Sequence, residues 1–136
     1  MCNVSAVVAV DAELYDSSFD AVRRSEDAIV SQWEGLSVST QEVRERVDEV
    51  LQPLGLQTRL LVVQKANSLA LLFTCLTLSA LMSLRDQWCT RQLRDIVQSL
   101  FQLLSGAIDR VYIKRLTWPV TDYERCVNFF HSFQGD

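Results

Sequence analysis

Chemistry in this chain would have to be built from few reactive residues. His131 is the only histidine among 136 residues, so a Ser-His-Asp or Cys-His arrangement would have to pass through one residue near the C-terminus. An H-E-x-x-H zinc pattern needs two histidines and is excluded. The four cysteines are Cys2, Cys75, Cys89 and Cys126; the nearest two, Cys75 and Cys89, are 14 positions apart. That spacing gives no C-x-x-C site for zinc or thiol exchange. Gly35, Gly55, Gly106 and Gly135 are isolated and form no phosphate-cradling loop. Glu42, Glu45 and Glu49 recur with helical spacing, but they are interleaved with Arg44 and Arg46 and lie opposite Val43, Val47 and Val50. Such acids read as a solvated helix face with local ion pairs, not as a metal-holding core. No catalytic, cofactor-binding or metal-ligating residue is assigned, and the chain reads as a non-enzyme.

The residues that remain suit binding. Trp118, Tyr123, Phe129, Phe130 and Phe133 place five aromatics within 16 residues. Trp and Tyr are enriched at interface hot spots, and adjacent Phe129 and Phe130 point about 100° apart on a helix. These five are the candidate partner-binding residues. A net charge of −4 argues against nucleic acid, which selects a basic footprint. Lys114, Arg115 and Arg125 among the aromatics are the nearest approach to one. Charge is unevenly spread: residues 1–55 carry 11 acids and 4 bases, and residues 56–136 carry 6 acids and 9 bases. Complementary halves of this kind can meet within one fold or between two copies of the chain.

The elements that must position these residues read as helices. Scarce Gly (4) and Pro (2) disfavour a turn-rich β-sandwich. Tyr15, Phe19, Val22, Ile29 and Trp33 suggest a first helix over residues 12–33. Ser39-x-x-Glu42 is a capping box, with Val38 and Val43 as a hydrophobic staple, and Pro53 and Gly55 stop the helix it starts. A third helix is expected over residues 58–87, apolar on every side, with a bend or break near Asn67. A fourth spans 90–112 with a wide apolar stripe. Residues 113–120 are rich in β-branched and aromatic types and suit an extended or irregular segment, and residues 1–11 are likewise expected to be extended or irregular. Thr121-x-x-Glu124 opens a short last helix.

The expected fold is therefore all-α: a single domain over residues 1–136, a four- to five-helix bundle around a uniformly apolar third helix. The expected function is a protein–protein interaction module, adaptor or regulatory, that docks a partner, such as a helical segment, on a helical surface or groove. Two alternatives stand beside it. The 19 uncharged residues 66–84 could anchor a membrane-associated helical protein, and the apolar helices could line a small apolar-ligand cavity. The start lacks a basic region before its short apolar stretch, and the cysteines read as reduced thiols, so the expected location is intracellular, cytoplasmic or nuclear.

Overall fold

Every second residue from Ala6 to Leu14 is buried, and Val7, Ala9, Asp11, Glu13 and Tyr15 between them are exposed. A period of two belongs to a strand with one face covered, not to a helix. The computed structural model describes residues 5–15, 19–106 and 110–134. In chain order it holds β1 (Ala6–Tyr15), α1 (Phe19–Glu34), α2 (Gln41–Leu51), β2 (Thr58–Lys65), β3 (Leu69–Cys75), α3 (Leu78–Cys89), α4 (Gln92–Leu104), β4 (Tyr112–Thr117) and α5 (Val120–Gln134). The expected all-α bundle is overturned: the fold is mixed α/β, with a four-stranded antiparallel sheet in the order β2-β3-β1-β4. This is a split βαβ arrangement in which each crossover carries two helices.

The uniformly apolar third helix does not exist. Residues 58–87 form β2, β3 and most of α3, and the hairpin between the strands turns at Ala66–Ser68, where Asn67 had marked a break. β3 lies between β2 and β1, so both its edges are paired. Leu69, Leu71, Phe73 and Cys75 face the core, and Ala70 is also buried among its neighbours, which explains a run without a polar stripe. Residues 66–84 are thus a turn, a central strand and the start of α3. Among the described residues no helix is long and apolar enough to cross a membrane.

Local chemistry sets the helix ends. Thr40, not Ser39, caps α2 by accepting the Val43 N–H, and Ser39 donates to the Gly35 carbonyl instead. Pro53 sits in a 3₁₀ turn, and Gly55 follows at φ +89°, which turns the chain into β2. Thr77 caps α3 through the Ala80 N–H at 3.1 Å. Arg91, between α3 and α4, is left-handed at φ +69°. One core joins the covered face of the sheet to Leu93, Val97, Leu100 and Phe101 of α4, with Ile29 of α1 and Leu81 and Leu84 of α3.

Candidate functional site

An open sheet has two outer edges, and here they are treated differently. In β4 the N–H and C=O of Ile113 point away from β1, and α4 meets them. Ile113 N–H donates to Gln98 Oε1 at 2.9 Å, and Arg94 Nη2 donates to the Ile113 carbonyl. Gln98 Nε2 donates to the Val111 carbonyl, and Val111 N–H donates to Gln102 Oε1 at 3.0 Å. Arg94, Gln98 and Gln102 are spaced by four and form one row along the helix. Four helical residues rise about 6 Å, and two strand residues rise about 6.7 Å. The row therefore keeps step with the strand, and the Gln98 amide takes the place of a neighbouring peptide group.

β4 pairs only with Asp11–Tyr15, which leaves the first half of β1 to be closed by α5. Arg125 Nη2 donates to the Val7 carbonyl at 2.8 Å, and the Cys126 thiol approaches the same oxygen at 3.5 Å. Asp122 fixes this arrangement by accepting from Trp118 Nε1 at 2.9 Å and from Arg125 Nη2 at 2.9 Å. The Asp122 hydrogen bond holds the Arg125 guanidinium above its ordinary value, and burial pushes the Cys126 thiol up. Arg85 stacks on Trp88, Trp118 and Tyr123, and its Nη1 donates to the Trp118 carbonyl.

These contacts place the aromatic candidates. Trp118 is 1% exposed and Phe130 is buried, so both serve the core; Tyr123 and Phe129 are half-buried. Trp118 and Tyr123 come together edge to face, as do Phe129 and Phe130. The side chain of Phe133 lies outside the described residues.

The β2 edge lacks such closure. Among the described residues no side chain hydrogen-bonds to its backbone, and its own polar side chains bond within the fold: Thr58 Oγ1 donates to Cys75 Sγ on β3, and Lys65 pairs with Asp27 of α1 at 2.7 Å. Lys65 holds the Asp27 carboxyl below its usual range, whereas burial raises that of neighbouring Glu26. A groove of about 430 Å³ runs beside the first half of β2, lined by Thr58, Arg59, Leu60 and Leu61 together with Trp33 and Leu51. Val47, Leu54 and Leu56, on α2 and the turn after it, form the rest of its wall. Leu56 is 98% exposed and Leu61 is 50% exposed at its margin.

No family model, curated protein or solved structure matches this chain.

Among the described residues no group of three or more His, Cys, Asp or Glu could hold a metal, and His131 is exposed on α5. Cys75 and Cys126 are buried and Cys89 is exposed, while Cys2 lies outside the described residues. Neither edge is legible in the sequence. The spacing of Arg94, Gln98 and Gln102 reads as an ordinary polar helix face, and Leu61 lies in an apolar run that suggests a helix. The available signal was the β-branched and aromatic content of residues 58–75 around a turn at Asn67.

Proposed function

We propose that the chain is a non-enzymatic protein–protein interaction module that receives an extended segment along β2. The observation that carries this reading is the selective closure of the sheet. Side chains of α4 and α5 bond the outer backbone at Val111, Ile113 and Val7, and among the described residues no comparable group serves β2. An edge strand with unpaired N–H and C=O groups templates another strand, and natural folds block the edges they do not use. A strand added to β2 gains main-chain hydrogen bonds, while the adjoining groove and the exposed Leu56 and Leu61 supply apolar contacts for its side chains.

This moves the docking surface from the helices and the C-terminal aromatics to an edge of the sheet. Burial of Trp118 and Phe130 favours that move, because a residue committed to the core has little surface left for a partner. Photo-cross-linking in cells tests the reading, with the reactive amino acid at Leu61 in one variant and at Lys114 of β4 in another. Adducts at Leu61 without adducts at Lys114 are expected. Adducts at Lys114 only, or none at Leu61, contradict strand addition at β2.

A further inference from the structure

We infer that the strand received along β2 is β2 of a second copy of this chain, an inference that rests on β2 being the docking edge. β2 carries a bulge. Where β2 pairs with β3 the register slips between Leu60 and Val62. Before the slip, Thr58 and Leu60 pair with Cys75 and Phe73, which face the core; after it, Val63 and Lys65 pair with Leu71 and Leu69, which do the same. Arg59, Val62 and Gln64 pair with Thr74, Leu72 and Ala70 on the other face. The slip thus changes which alternate residues face the core halfway along the strand.

This phase change makes β2 complementary to itself. When an eight-residue strand pairs antiparallel with its own copy over its full length, odd positions meet even ones. In a regular strand every pair would then join a core-facing residue to a solvent-facing one. With the bulge, Thr58 meets Lys65 and Leu60 meets Val63 of the second copy on the core face. Arg59 meets Gln64 and Leu61 meets Val62 on the open face. The seven positions registered against β3 agree in face, the bulged Leu61 is half-exposed, the apolar residues meet at the centre, and no like charges stand opposite. The two Arg59 side chains are five residues apart along the pair, about 17 Å.

The two-fold axis passes between the Leu61–Val62 pairs and joins two four-stranded sheets into one of eight, an isologous contact. The neighbouring helix agrees with it. Asp27 of α1 bonds Lys65, and Trp33 shares the groove with Thr58–Leu61, so α1 runs antiparallel to β2. Two α1 helices beside the axis run in opposite directions, which brings the Arg24 end of one toward the Glu34 end of the other.

Sedimentation velocity on the full chain over a concentration series tests this. The expected result is a monomer–dimer equilibrium in the micromolar range, as suits a contact below about 1,200 Å². Leu61→Lys, at a half-exposed position, is expected to leave a folded monomer at every concentration. Gln64→Glu sets a carboxylate opposite Arg59 of the second copy and should tighten the dimer roughly threefold to thirtyfold at low salt. Gln64→Lys should weaken it by a similar factor. A chain that stays monomeric while Leu61 cross-links a different protein overturns self-pairing and leaves strand addition standing. A monomer with no adduct at Leu61 overturns both. A dimer indifferent to Leu61→Lys and to both Gln64 variants also overturns self-pairing through β2.

Discussion

β4 and β2 are the two outer strands of one sheet, and their compositions are alike. β4 carries Lys114 and Arg115, and β2 carries Arg59 and Lys65. What separates them is the helix beside each. α4 turns a row of amide and guanidinium groups toward the backbone of β4, so that the outward groups of Val111 and Ile113 are bonded. α1 offers β2 an ion pair at Lys65 and leaves an apolar groove along Thr58–Leu61. Charged residues on an edge strand are thus an incomplete description of its protection, because the neighbouring helix decides whether the backbone itself is available.

The largest expected effect comes from opening the closed edge. Gln98→Ala leaves the Ile113 N–H and the Val111 carbonyl without partners, at a cost of about 3 kcal/mol measured by urea unfolding. Gln98→Leu keeps the bulk of the side chain and should be nearly as costly, which separates the amide's role from simple packing. Both variants expose a second free edge and should associate more readily than the native chain.

An intermediate effect is expected on the β2 side from pH. Burial pushes the Cys75 thiol, which accepts from Thr58 of β2, up to about 11. Because the folded state holds this proton more tightly than the unfolded chain does, its contribution to stability is complete below the ordinary thiol value of 9.0. It is lost as pH rises toward 11, by roughly 2 kcal/mol. Denaturant titrations at pH 8 and above, with Cys75→Ala as the reference that lacks this slope, measure it. A smaller effect follows Arg125→Met, which removes the bond to the Val7 carbonyl and keeps the apolar stem, costing about 1 kcal/mol. The smallest is Leu61→Lys, within about 0.5 kcal/mol of the native stability because the side chain is half-exposed. Full association loss with almost no stability loss would sharpen the contrast between the edges.

Parts of the fold were legible in the sequence. The apolar stripe of α4, the stop at Pro53 and Gly55, the extended character of residues 113–120 and the last helix all appear at or near the expected positions. The sheet was not legible, because its open face is itself partly apolar. In β1 the exposed Val7, Ala9 and Tyr15 blur the alternation set by Val8, Val10 and Leu14. In β2 and β3, Leu61, Val62 and Leu72 do the same, and the bulge breaks the period of two that remains. Residues 58–87 lacked a solvent stripe at helical spacing, which is the mark of paired strands as much as of a buried helix. The site shared that fate. Gln98 and Leu61 have no distinctive sequence pattern, and their roles follow from which strand edge each one meets.

Residue-resolved amide hydrogen exchange on the dilute chain tests the difference between the edges most directly. The expected result is slow exchange at Val111 and Ile113, fast exchange at alternate amides of Thr58–Lys65, and slowing of those β2 amides alone as protein concentration rises. Equal protection of Val111, Ile113 and the β2 amides in dilute protein, or protection gained on β4 and not on β2, would contradict a sheet covered by α4 at Val111 and Ile113 and open along β2.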